Sequence, residues 1–96
     1  MKPSVVLQKN RTKIRSVVER NRACNARVFG SVLHGDDHDG SDLDLLIDTT
    51  PSTTFMDVAR IQVELESLLG IPVDVLTPKA LPEKFRDSVI AEAIPV

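Results

Sequence analysis

The run Asp42-Leu-Asp-Leu-Leu-Ile-Asp48 can bury its apolar residues and leave its carboxylates in water only as a strand. In an extended strand alternate side chains share a face, so Asp42, Asp44, Leu46 and Asp48 point one way and Leu43, Leu45 and Ile47 the other. The second set predicts a face buried under helices. A sheet is therefore needed, and the rest of the chain must supply its other strands and their cover.

The flanking sequence supplies both. Leu7, Ile14, Val17 and Val18 recur at helical spacing between about Val5 and Arg20 and predict an amphipathic helix. Ala26 to Gly30 is a short β-favouring run ended by glycine, and the glycines at 35 and 40 place a short helix and a loop before the acidic strand. Thr54 followed by Asp57 resembles a capping box, and Val58, Ile61, Leu65 and Leu68 mark one face of the helix it opens. Gly70 stops that helix. Pro72 to Leu76 reads as a third strand with its proline at the first position, and Pro82 suits the first turn of a last helix running to about Ile94. The order α, β, short α, β, α, β, α predicts a single α/β (α+β) domain over residues 1–96, a small mixed sheet of three to four strands flanked by helices.

Composition narrows the function classes. Aromatics are 3% of the chain, with no Trp or Tyr, so a base-stacking surface and direct DNA binding are not expected. Cys24 is the single cysteine and cannot form an internal disulfide; no apolar run has the length of a signal peptide or membrane span. These features predict a soluble cytoplasmic protein away from membranes. The net charge of −2 hides an asymmetry, because eight of the twelve Lys and Arg lie within residues 1–27, where Glu19 is the only acid. That basic segment reads as a solvated helix face, or as a surface for an acidic partner or a nucleotide.

The chemistry concentrates between Gly30 and Asp74. Asp42 and Asp44 share a strand face, where like charges repel unless a cation sits between them, and Mg²⁺ takes one or two carboxylates completed by water and phosphate oxygens. Their bland alternative is a solvated strand face. Gly30 and Ser31 stand at a strand end before a short helix, a setting that accepts phosphate oxygens and equally a plain capped turn. Asp74, in the otherwise apolar Val73 to Leu76, is a ligand, a general base or an edge acid. The remaining acids, Asp36, Asp37, Asp39 and Asp48, read as solvent or partner contacts. A calcium loop fails on register, since placing Gly40 sixth puts Gly35 first and Leu46 twelfth. His34 and His38 lack the helical support of a zinc pair and read as exposed loop residues, and Cys24 as an ordinary thiol.

Gly30-Ser31, ten residues, then Asp42-Leu-Asp44 resembles the GSx10DxD signature of the polymerase-β-type nucleotidyltransferase superfamily. The small size, the "SDLDLLID" and "IPVDVLTP" contexts and the proline-led last helix are similar to its minimal members, the MNT domains. That resemblance implies the nucleotidyltransferase fold, with Asp42, Asp44 and Asp74 as catalytic residues holding two Mg²⁺ ions, and Gly30 and Ser31 holding the phosphates of ATP. It also implies an in-line displacement at the α-phosphate. MNT proteins are commonly paired with HEPN-domain ribonuclease toxins, so the implied function is an antitoxin that transfers AMP from ATP to a tyrosine of such a toxin. Alternatives are an antitoxin that neutralises by binding alone, and nucleotidyl transfer to a small molecule or an RNA. One position departs from the family pattern: His34 stands where many MNT sequences carry arginine. Either a protonated His34 contacts the nucleotide phosphates, or Arg27 or another cation substitutes.

Overall fold

The computed structural model describes all 96 residues, Met1–Val96. Helix α1 (Pro3–Arg20) opens on a proline, whose missing N–H is no loss in a first turn, and so begins ahead of the apolar periodicity. Strand β1 (Ala23–Phe29) pairs antiparallel with β2 (Leu43–Thr49), with a bulge between Cys24 and Arg27. The single-turn helix α2 (Ser31–His34) lies between them. Helix α3 (Phe55–Leu69) then returns the chain to β3 (Val73–Leu76), which pairs parallel with β2. A 3-10 turn, Pro78–Ala80, leads to α4 (Glu83–Glu92).

The C-terminal end differs from the sequence expectation. The last helix ends at Glu92, and Ile94–Pro95 forms a fourth strand, β4, paired with β1 to give the order β3-β2-β1-β4. Pro95 is the cause, because a residue before proline is driven out of the helical region into extended backbone. Ala93 already has ψ 138°, and the Val96 N–H donates to the Ala26 carbonyl at 3.0 Å. Pro82, at φ −54° and ψ 131°, stands just outside α4 as its N-cap instead of in its first turn.

Strand alternation sorts the sheet's two faces largely as predicted. Leu43, Leu45 and Ile47 are each 0% exposed and join Val28, Val73 and Val75 beneath Ile14, Val17 and Val18 of α1 and Ile61 and Leu65 of α3. Full burial of each such side chain contributes about 1.5–3 kcal/mol. The acidic face is not simply solvated: Leu46, between Asp44 and Asp48, is also fully buried, outside the main cluster, where the 3-10 turn packs on β2.

The basic first segment is largely exposed, as a solvated face requires, but its arginines are engaged within the fold. Arg11 and Arg15 donate to the Pro95 and Val96 carbonyls at 3.3 and 2.6 Å, clamping β4. Arg20 pairs with Glu64 at 2.5 Å. Arg22 meets Asp57 through two nitrogens at 3.1 and 2.5 Å. Asp57 also completes the predicted capping box, exchanging hydrogen bonds with Thr54 at 2.9 and 3.1 Å, and takes a further bond from Arg60 at 3.0 Å. Covered by these partners, its carboxyl is held down to about 2, chiefly by the Arg22 hydrogen bond and then by the Thr54 N–H.

Candidate functional site

Strand pairing decides where the acids meet. In register, Asp44 lies opposite Phe29 of β1 on one side and Asp74 of β3 on the other. Asp44 and Asp74 are thus neighbours on adjacent strands, whose axes run about 4.8 Å apart in any sheet. Asp42 lies one residue ahead of β2 and, two positions from Asp44, is placed by alternation on the same face. Partial burial, with the charges of Asp74 and then Asp42, pushes the Asp44 carboxyl up to about 6. No Lys, Arg or His pairs with any of the three; the chain's ion pairs all lie elsewhere.

Gly30 joins the two halves of the motif. It follows β1 at φ 74° and ψ −148°, a conformation open almost only to glycine. A Cβ built there would lie 2.2 Å from Asp44 Oδ2 and 3.1 Å from its Cγ. The backbone of the Gly-Ser turn therefore presses directly on the second carboxylate of the Asp-x-Asp pair. Ser31 begins α2, whose first N–H groups have no side-chain cap and no acceptor within the helix.

An oxygen-only donor set without a cation of its own fits a hard divalent ion such as Mg²⁺. No three of the chain's His, Cys, Asp and Glu side chains close on one point as a metal cage. The set is open, which suits an ion that retains water and phosphate oxygens among its ligands.

The other candidates are placed elsewhere. His34, half exposed at the end of α2, has Nε2 3.4 Å from Glu92 Oε2 and so faces α4. Arg27 is engaged elsewhere: its side chain is 11% exposed, pairs with Asp48 at 2.5 Å and bonds the Asn25 carbonyl at 3.1 Å. Asp48 is accordingly a structural partner of Arg27 and Asn25, not a free surface acid. Asp37 departs furthest from expectation, being buried at 8% exposure with Oδ2 2.9 Å from the Ser4 N–H. The signal for it lay in α1, which starts Lys-Pro-Ser with no acid in its first turn and hence no cap of its own. Asp36, Asp39 and His38 are exposed as expected, and Cys24 is a free thiol. No helix is long and apolar enough to cross a membrane.

Comparison with known proteins points the same way. Residues 12–96 match the family described as Polymerase beta, Nucleotidyltransferase. Over 84 residues the chain is 31% identical to a protein named as a protein adenylyltransferase in Methanocaldococcus jannaschii, covering 88% of this chain and 90% of that relative. It is 30% identical over 67 residues to the protein adenylyltransferase MntA of Thermococcus cleftensis, covering 70% and 68%. Among solved structures, a minimal nucleotidyltransferase superposes with a TM-score of 0.85 at 39% identity, over 97% of this chain and 95% of that one. A toxin–antitoxin structure with AMP-PNP shares the fold at a TM-score of 0.75 and 20% identity, over 90% of this chain and 71% of that one.

Proposed function

The chain belongs to the polymerase-β nucleotidyltransferase family as a minimal nucleotidyltransferase domain, and from that footing we propose that it is an antitoxin that transfers AMP from ATP to a tyrosine of a partner HEPN-domain ribonuclease toxin. The observation that carries the reading is the Asp44 carboxyl, set between Asp42 and Asp74, pressed by Gly30 and unpaired with any cation of the chain. A protein acceptor is supported by two relatives that bear the name protein adenylyltransferase. A toxin–antitoxin role is supported by similarity to MntA and by the shared fold of solved toxin–antitoxin structures.

In this reading Asp42, Asp44 and Asp74 hold Mg²⁺, which when bound neutralises the triphosphate and the charge that develops on the leaving oxygens. The backbone at Gly30 and Ser31 and the Ser31 hydroxyl hold phosphate oxygens. Asp74 accepts the proton of the attacking tyrosine hydroxyl. The phenolic oxygen forms a bond to the α-phosphorus while the bond to the bridging oxygen breaks and pyrophosphate leaves. His34 is a supplementary contact, placed at the end of α2 with its Nε2 3.4 Å from Glu92 Oε2.

Incubation with ATP, Mg²⁺ and the partner toxin, followed by mass spectrometry, tests this. The expected result is an AMP adduct on a toxin tyrosine, lost with Asp42→Asn and Asp44→Asn. Absence of the adduct, together with full neutralisation by the doubly substituted protein, would instead establish an antitoxin that works by sequestration.

A further inference from the structure

The loop from Gly35 to Asp42 joins the phosphate turn to the first metal-binding carboxylate, and one acid within it is buried. Asp37 is 8% exposed, whereas its neighbours Asp36 and His38 are exposed. Its Oδ2 accepts the Ser4 N–H at 2.9 Å, across 33 residues of sequence.

Helix α1 shows why a carboxylate is held there. Pro3 has no N–H, and the N–H groups of Val5 and Val6 donate to the Lys2 carbonyl at 3.0 and 3.2 Å, which leaves Ser4 as the first-turn donor without a local partner. Lys2 provides no side-chain cap, and the first turn of α1, which is kinked at Asn10 (φ −131°, ψ 18°), carries no acid. Asp37 satisfies the donor and places negative charge at the positive end of the helix dipole. Its carboxyl consequently lies below the ordinary range, with the Ser4 backbone N–H as the largest cause.

That bond fastens the loop to the body of the protein. Upstream, the Asp36 N–H donates to the Ser31 carbonyl at 2.9 Å. Downstream, residues 38–41 close on themselves, with the Ser41 N–H to the His38 carbonyl and the His38 N–H to Ser41 Oγ, both at 3.0 Å. The closed turn leads directly into Asp42, which precedes β2. The first anchored amide after it is Leu43, donating to the Pro72 carbonyl at 2.9 Å. The pair between Asp39 and the N-terminal amine, 3.4 Å apart and largely exposed, holds the loop only weakly.

We propose that Asp37 is a positioning residue for Asp42: by docking the loop onto the N-terminus of α1, it sets the first metal ligand relative to Asp44 and the Gly30-Ser31 turn. The inference rests on the nucleotidyl-transfer reading of the site.

Mn²⁺ binding in the presence of a non-hydrolysable ATP analogue, read by electron paramagnetic resonance, tests it on the full chain. Asp37→Ala is expected to bind Mn²⁺ about tenfold more weakly, the scale of losing a group that orients a metal ligand. Asp37→Asn, which keeps an oxygen for the Ser4 N–H, recovers most of that loss. Thr54→Ala removes the cap of α3 and controls for lost stability; it is expected to bind as wild type. Wild-type affinity in Asp37→Ala, or an equal loss in Thr54→Ala, overturns the proposal while the site reading stands. Should Asp37→Ala fail to fold, Asp37→Glu decides. Its extra methylene displaces the loop, so binding must weaken by at least about threefold, given the steep cost of misplacing a site by an ångström; unchanged binding overturns the proposal. If wild type and Asp44→Asn bind Mn²⁺ equally, the reading of the site itself fails and the role of Asp37 fails with it.

Discussion

Gly30→Ala is the sharpest test of how the site is built, because it adds one methyl group where two separate penalties meet. At φ 74° and ψ −148° an alanine backbone is strained, at about 1–3 kcal/mol for such a sparsely populated conformation. The new Cβ also falls 2.2 Å from Asp44 Oδ2, and relieving that overlap by rotating the carboxylate or shifting the strand adds about 1–3 kcal/mol, as overpacking does. The expected total is about 4 kcal/mol, a large part of the roughly 5–14 kcal/mol that holds a domain of this length together. Gly35→Ala is the control, with φ 73° but nothing within 4 Å of its Cβ, so it should lose only the left-handed strain of about 1–2 kcal/mol. Urea titrations of both variants measure the difference.

A double-mutant cycle isolates the contact itself. Asp44→Ala removes the Oδ2 and Cγ that the Gly30 methyl would meet at 2.2 and 3.1 Å and leaves the Cβ at 3.3 Å. Gly30→Ala should therefore be milder in that background by about 2 kcal/mol, well beyond the few tenths expected of independent sites. Additivity of the two substitutions, or a Gly30→Ala loss no greater than that of Gly35→Ala, would refute the packing argument.

Asp42→Asn and Asp44→Asn should each lower AMP transfer by at least about 10²-fold, the scale of removing one electrostatic stabiliser of a transition state; a discontinuous assay of labelled ATP reads this. Free of metal, the protein should gain stability as pH rises from about 2 to 4, because the depressed Asp57, Asp37 and Glu64 carboxyls hold charge in the folded state that the unfolded state lacks there. Between about 4 and 6 the sign reverses, because Asp44 is raised to about 6 in the fold and its ionisation is resisted there; the loss is about 1 kcal/mol once solvent screening of this half-exposed group is allowed for. Urea midpoints against pH should show that decline in wild type and none in Asp44→Asn. Thr54→Ala should cost about 1 kcal/mol as a lost helix cap, and Asp57→Asn more, since it also strips Arg22 and Arg60 of their partner; thermal melts rank the two.

Most of the scaffold was legible because local rules and tertiary demands agree. The alternation of Leu43, Leu45 and Ile47, the Thr54–Asp57 box and the left-handed Gly70 each state one answer, and the structure adopts it. What escaped the sequence depends on long-range partners. Ile94 is a strand residue only because Pro95 ends the helix and β1 offers an open edge. Asp37 looks like Asp36 in the sequence, and only the uncapped start of α1 separates the buried anchor from the exposed acid. The arginines likewise read as one basic patch until Arg11 and Arg15 find acceptors at the C-terminal end, Arg20 and Arg22 on α3, and Arg27 on β2. Of the candidate site, spacing singled out Gly30, Ser31, Asp42 and Asp44, and Asp74 stood out only as the one acid in an apolar strand, but the contact between Gly30 and Asp44 appears only when β1 and β2 pair.

That distribution of charge has a consequence for stability and function together. Arg27 lies on the strand beside β2, yet its guanidinium goes to Asp48, and Arg22 and Arg60 go to Asp57. The fold thus pairs Asp48 and Asp57 with its own cations and leaves Asp42, Asp44 and Asp74 to repel one another, with Asp44 bearing the strain. Such a cluster destabilises the free protein and is relieved by a ligand that binds only the folded state. At a hundredfold excess over its dissociation constant, that ligand adds about 2.7 kcal/mol, more than the cluster takes away. Asp44→Asn should therefore raise the melting temperature of the metal-free protein above pH 6 and abolish the further rise on adding Mg²⁺ and ATP. One substitution producing both changes, of opposite sign, is the signature of acids held for a cation from outside; a carboxylate kept for packing alone would produce neither.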